Sequence, residues 1–190
     1  MAHLKIIQSC VEITLYDFKL KGDPVKFQSR LLTNIVGIFF DQEAAKKLND
    51  DTLVYYVQSW MPVPEGTTGG LFYGTSTIMT GKVGEEYFMT KGHFHLKPDR
   101  AEFYWGVRGE GVLIMMDRNR NTWGERIYPG SLHYINGEIA HRMANTGQEQ
   151  LIVGACWPSD AGHDYEEIEH NGFSARLLEV NGQPVLVPVG

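Results

Sequence analysis

The stretch Thr90-Lys91-Gly92-His93-Phe94-His95-Leu96-Lys97-Pro98-Asp99-Arg100-Ala101-Glu102 decides how the chain is read. Histidines at i and i+2 on a strand project from the same face. An extended course through 93–95 therefore gives two imidazoles able to share one ion. Glu102 comes seven residues after His95, in the run Ala101-Glu102-Phe103-Tyr104-Trp105. A strand, loop, strand course folds its carboxylate back beside the histidine pair. His141, in the apolar run 139–145, supplies a third imidazole past two further strands. Three imidazoles and one carboxylate suit a borderline divalent ion, namely iron, manganese, nickel or zinc, and leave one or two coordination positions open. The histidine pair alone fits an exposed or hydrogen-bonded pair equally well; Glu102 and His141 turn the reading toward a metal.

From residue 52 onward, short runs rich in β-branched and aromatic residues alternate with Gly, Pro, Asn and Asp. Strands are expected at 53–60, 71–79, 87–89, 101–107, 112–116, 123–128, 132–135, 141–145, 151–157, 175–179 and 185–187. Arg108-Gly109-Glu110-Gly111 and Asn145-Thr146-Gly147 punctuate them, and Asn181-Gly182 between two apolar runs signals a two-residue hairpin. Strands this short and regular indicate an all-β sandwich or barrel. The first 50 residues are mixed in texture. Asp41 reads as an N-cap, with Glu43 in the first turn, for a short helix through about residue 48. One domain is expected: a barrel over 51–190 with 1–50 as an extension packed on it.

Composition bounds the partners. The 190 residues carry a formal net charge of −6, which gives no electrostatic reason to bind nucleic acid or an anionic membrane. An anionic substrate would need local donors to overcome that sign. Cys10 and Cys156 form neither a disulfide framework nor a thiolate zinc pattern. No apolar run approaches the length of a membrane span, and residues 1–8 hold no extended apolar segment, so a cytoplasmic protein is expected.

Gly92-His93-Phe94-His95, Glu102 and Gly109 resemble the first cupin motif. Gly130, Asn136, Glu138, His141 and Asn145 resemble the second, with Asn136 where the motif has Pro and Glu138 where it has Gly. The longer string Glu86-Tyr87-Phe88-Met89-Thr90-Lys91-Gly92-His93-Phe94-His95 is similar to the cupin-type glucose-6-phosphate isomerases of archaea and some bacteria. So are Asp99-Arg100-Ala101-Glu102 and Pro158-Ser159-Asp160-Ala161-Gly162-His163-Asp164-Tyr165. That family shares the six-residue gap between the second histidine and the glutamate. The resemblance runs over about 73–173, and the first 50 residues contribute little to it.

The resemblance implies a cupin β-barrel, or jelly roll, with His93, His95, Glu102 and His141 as metal ligands. One divalent ion per subunit is expected, ferrous iron foremost, with manganese, nickel or zinc as substitutes. The implied activity interconverts glucose 6-phosphate and fructose 6-phosphate by moving hydrogen between C1 and C2. Glu102 would act as base through a cis-enediol, with a direct hydride shift as the other route. A carboxylate held by a cation is less basic, so ligand and base roles compete in Glu102. Ser76, Thr90 and Gly92 would contact the substrate phosphate, although Thr75-Ser76-Thr77 also reads as plain strand propensity. His163 and Tyr165 would face the sugar, His163 assisting ring opening, although 161–165 also reads as a surface loop. Tyr104, alternating with Glu102, would point toward the site. A homodimer is implied, with Phe103, Trp105, Trp123 and Trp157 as core or interface. His3, His133 and His170 read as solvated or core residues, and Glu166, Glu167 and Glu169 as a solvated acidic face. A metal-dependent oxygenase and a non-enzymatic sugar-phosphate or metal-binding module are the other readings.

Overall fold

A computed structural model describes residues 4–189; His3 lies outside them. The strands are β1 (Glu12–Ile13), β2 (Leu20–Lys21), β3 (Val25–Leu31), β4 (Leu53–Trp60), β5 (Leu71–Ile78), β6 (Lys82–Val83), β7 (Glu86–Tyr87), β8 (Glu102–Arg108), β9 (Gly111–Met116), β10 (Thr122–Ile127), β11 (Leu132–Ile135), β12 (Ala140–Asn145), β13 (Leu151–Pro158), β14 (Ala175–Val180) and β15 (Gln183–Pro188). The helices are α1 (Leu32–Ile35), which runs into a 3-10 turn at Val36–Ile38, α2 (Gln42–Ala45) and α3 (Glu166–Asn171).

One wall of the molecule is a six-stranded antiparallel sheet in the order β11-β8-β13-β5-β4-β3. The other is assembled from β10-β9-β12 and β15-β14-β7-β6. The irregular segment after β7 joins these two pieces, through bridges of Met89 to Ala144 and His93 to His141 on β12. This is the all-β barrel that the resemblance implies. Its core is the apolar set between the walls, including Val54, Ile78, Leu113, Ile114, Ile135 and Leu151, all essentially inaccessible to solvent. β9 (Gly-Val-Leu-Ile-Met-Met) is buried along its whole length. β8 instead alternates, with Glu102, Tyr104 and Gly106 inward and Phe103 exposed. That alternation turns the Glu102 carboxylate into the barrel.

Several local expectations are corrected. His93 and His95 lie on an extended segment held by isolated bridges rather than on a strand ladder, and the strand expected at 87–89 is β7, ending at Tyr87. Within the mixed first 50 residues, α1 is one short turn that packs its Leu32 and Ile35 side chains inward. Asp41 does cap α2, accepting from Ala44 N at 2.8 Å, but the helix stops at Ala45. β3 had no counterpart among the expected strands; it pairs with β4 from Val25↔Trp60 onward. The acidic run after Tyr165 forms α3. No helix among the described residues is long and apolar enough to cross a membrane.

Candidate functional site

His93, His95, Glu102 and His141 converge inside the barrel, with their ligand atoms all within 4.8 Å of one another. Three separate backbone pieces bring them there: the bridged segment after β7, the first residue of β8, and β12. His141 N donates to His93 O at 3.1 Å, which fixes the two rings at a centroid distance of 4.5 Å.

Backbone acceptors orient two of the imidazoles. His95 Nδ1 lies 2.5 Å from Arg100 O, and His141 Nδ1 lies 3.1 Å from Ile139 O. A carbonyl can only accept, so each Nδ1 carries its hydrogen. In the neutral rings, both Nε2 atoms then present lone pairs. Yet His95 Nε2 and His141 Nε2 face Glu102 Oε1 at 3.0 and 2.7 Å. Lone pairs opposed to a carboxylate at that range call for positive charge between them, from a bound cation or from a proton on the imidazole. His93 Nε2 is buried with no hydrogen-bond partner at all, an orphan that a bare protein does not leave without cost. These four acceptor atoms, the orphaned His93 Nε2 among them, thus fit a divalent cation held by His93, His95, Glu102 and His141.

The electrostatics agree. Burial presses the Glu102 carboxyl upward, but the neighbouring His141 and His95 outweigh it and bring it down to about 2. Burial, reinforced by His141, His163 and His95, holds His93 well below the ordinary histidine range. Burial would lower His95, but its hydrogen bond and charge contact with Glu102 raise it overall. Burial and the Glu102 charge keep the Tyr104 phenol well above its ordinary range, so it remains a hydroxyl donor. Its oxygen lies 3.4 Å from His141 Nε2.

Beside this cluster opens a cavity of about 430 Å³. Ser76, Thr90, Gly92, Tyr104, His163 and Tyr165 all line it, together with His93, Glu102 and His141. His163 sits 4.4 Å ring to ring from His93 and stacks on Tyr165 at 5.8 Å. The 161–165 stretch is therefore a cavity wall and not a free surface loop; Phe94 N donates to Asp164 O to hold it there. Burial lowers His163 below the ordinary histidine range. Thr90 Oγ1 accepts from Met143 N at 3.0 Å, which turns its hydrogen outward, and Gly92 turns the chain at φ +83°. A Cβ on Gly92 would come within 2.8 Å of Phe173. Gly92 is thus required both by its dihedral and by space.

Lys26, Gln28 and Arg30 on β3 and Tyr55 on β4 also line the cavity, and sequence reasoning missed all four. The period-2 alternation of Val25-Lys26-Phe27-Gln28-Ser29-Arg30-Leu31 was the available signal. Of the remaining histidines, His133 is buried between Glu125 and Ser131, and His170 is exposed on α3. Neither joins the cluster. Glu166 is exposed, whereas Glu167 pairs with Arg120 and Glu169 with Lys91.

The family profile described as Glucose-6-phosphate isomerase (GPI) matches residues 29–186. The chain is 40% identical over 159 residues to the glucose-6-phosphate isomerase of Thermococcus kodakarensis, covering 83% of each protein. It is 39% identical over 160 residues to that of Pyrococcus furiosus, covering 83% of this chain and 84% of the relative. A putative glucose-6-phosphate isomerase of Rhizobium meliloti is 32% identical over 150 residues, or 77% of this chain and 69% of that protein.

Proposed function

The chain belongs to the glucose-6-phosphate isomerase family, and from that premise we propose that the barrel cavity interconverts glucose 6-phosphate and fructose 6-phosphate. The observation that carries the reading is the conjunction of the four-ligand cluster with a polar cavity open to it. The homologues favour an isomerase over an oxygenase or a non-enzymatic binding module.

His93, His95, Glu102 and His141 would hold a divalent cation, which would supply Lewis-acid stabilisation of developing negative charge. We assign ferrous iron as the native ion, with manganese, nickel and zinc as substitutes. Ser76 and Thr90 hydroxyls and the backbone turn at Gly92 hold the phosphate. His163 accepts the anomeric hydroxyl proton as the C1–O5 bond breaks and passes it to the departing O5. Glu102 then takes the proton from C2; the C–H electron pair forms the C1–C2 double bond as the carbonyl π pair moves to O1, which takes a proton from solvent, giving a cis-enediol. O2 then loses its proton to solvent and becomes the C2 carbonyl as the Glu102 proton is delivered to C1, which yields the ketose. Tyr104 and Tyr165, both held above their ordinary range by burial, donate hydrogen bonds to sugar oxygens.

The working unit is a homodimer. The outer face of the six-stranded sheet supports this, since Leu71, Phe103, Leu132 and Tyr134 are all exposed there. Residues 1–50 act as an extension of a single barrel domain, consistent with β3 joining its sheet. The setting is cytoplasmic, in keeping with two free cysteines. Chelation with EDTA tests the reading. Isomerase activity disappears on stripping and returns with single divalent ions, best with Fe(2+). Full activity in protein shown by elemental analysis to hold no metal overturns it.

A further inference from the structure

A second cavity, of about 400 Å³, lies outside the barrel between α1, α3 and the outer side of β12. Arg142 and Arg176 both reach it, and Lys91 stands at its border with the catalytic cavity. Arg142 is 4% exposed and its Nε has no hydrogen-bond partner. Its guanidinium lies 4.4 Å over the Phe173 ring and forms no ion pair among the described residues. The Arg176 Nε is buried and unpartnered as well.

The charges around this cavity do not balance. Glu86, the buried carboxylate nearby, is already occupied. It accepts from Arg176 Nη1 at 3.0 and 3.2 Å and from Phe40 N at 2.9 Å. Lys91 is neutralised by Glu169. That leaves the Arg142 guanidinium as a permanent charge without a counterion, in a place where water is scarce. An aromatic face offsets part of that cost, but a buried unpaired charge is a strongly unfavourable arrangement. A guanidinium fork matches an oxyanion, and above all a phosphoryl group, better than any other small ligand. The rest of the wall is mixed: Ile35, Ile38, Ile168 and Phe173 give it an apolar side for an organic body, and Asn34, Glu169, His170 and Asn171 a polar one.

We propose that this cavity is a second anion site, adjoining the catalytic one and sharing Arg142 and Lys91 with it, that takes the phosphoryl group of a small phosphate ester on Arg142 and Arg176. Its occupant would bear on the catalytic cavity through shared residues. The Arg142 Cβ packs at the Gly92 turn, and Lys91 lies 4.7 Å over the Tyr165 ring.

Gly37 gives a clean test. It lines this cavity, a Cβ there meets nothing within 4 Å, and its backbone is not left-handed. Gly37→Phe therefore adds a large side chain at the cavity wall with no clash at its Cβ. Isothermal titration of the metal-loaded, full-length protein with inorganic phosphate should count two equivalents per chain in wild type and in Gly37→Ala. It should count one in Gly37→Phe. Phenyl phosphate should displace the extra equivalent and bind it more tightly than inorganic phosphate does. Equal counts in wild type and Gly37→Phe overturn the site, and tighter binding of inorganic phosphate overturns the ester assignment. Circular dichroism checks the fold; if Gly37→Phe fails to fold, the same count on Arg142→Met decides. Because the readout is stoichiometry, an inactive wild-type protein would sink the isomerase reading and leave this count standing.

Discussion

At the residue scale, three of the four proposed ligands were legible because their signal is local. His93, His95 and Glu102 sit within ten residues, and strand periodicity alone puts the histidines on one side. What the string could not reveal is the pair of carbonyls, Arg100 O and Ile139 O, that fixes their tautomers. Glu102 carries the sharpest prediction here. Glu102→Gln keeps the shape and one acceptor but removes the charge and the basic oxygen. Turnover should fall on the order of 10²–10⁴-fold, the usual weight of a general base, with the circular dichroism spectrum unchanged. Metal content measured on the same sample separates loss of a ligand from loss of the base; undiminished turnover removes Glu102 from the chemistry. Asp160 carries a second prediction. Arg100 donates to it from Nε and Nη2 at 2.9 Å each, and Lys97 Nζ at 2.9 Å. These hydrogen bonds, Arg100 first, hold its carboxyl below the ordinary carboxylate range. A carboxyl depressed on folding stabilises above its unfolded value, about 4, and loses that contribution as pH falls toward the folded value. Thermal melts of wild type and Asp160→Asn should therefore differ at pH 7 and converge below about pH 4. A gap that persists unchanged into acid counts against the ion pairs.

At the element scale, regular strands with turn punctuation were readable, and short helical turns were not. α1 spans four residues, too few for a 3.6-residue periodicity to show. α3 begins at Tyr165 without a side-chain cap, so the usual start signal is missing. The β14–β15 hairpin shows the opposite case. Asn181 and Gly182 adopt φ +51° and +75°, the left-handed pair that a two-residue turn demands. Gly182→Val puts a branched side chain into that region and should cost about 1–2 kcal/mol. Differential scanning should register a drop of roughly 2–8 °C. Gly182→Asn, which tolerates the conformation, should lose less than half of that. Equal losses from Val and Asn would mean that the turn dihedral is not what the glycine supplies.

At the scale of the whole molecule, the sheet order β11-β8-β13-β5-β4-β3 interleaves distant segments, and no local pattern encodes such pairing. The same long-range pairing hid the basic rim of the catalytic cavity. Lys26 and Arg30 lie about 60 residues before the metal-ligand motif and reach the cavity only because β3 docks on β4. Their position answers a problem posed by the charge of the chain. A protein at −6 repels a sugar phosphate at long range, so capture must rest on a local reversal of sign. Lys26 and Arg30 in the cavity wall supply it, and Arg30 also contacts the buried Tyr55 phenol. Arg30→Gln should raise KM for fructose 6-phosphate about tenfold, ~1.4 kcal/mol, with kcat within about twofold, as expected for binding lost equally from ground and transition states. Rising salt should raise the wild-type KM steeply and that of Arg30→Gln less, since exposed charges more than about 10 Å apart are screened at 0.1 M. If both proteins share one KM and one salt slope, the rim does not steer the phosphate, and capture rests wholly on the hydroxyls and the Gly92 turn.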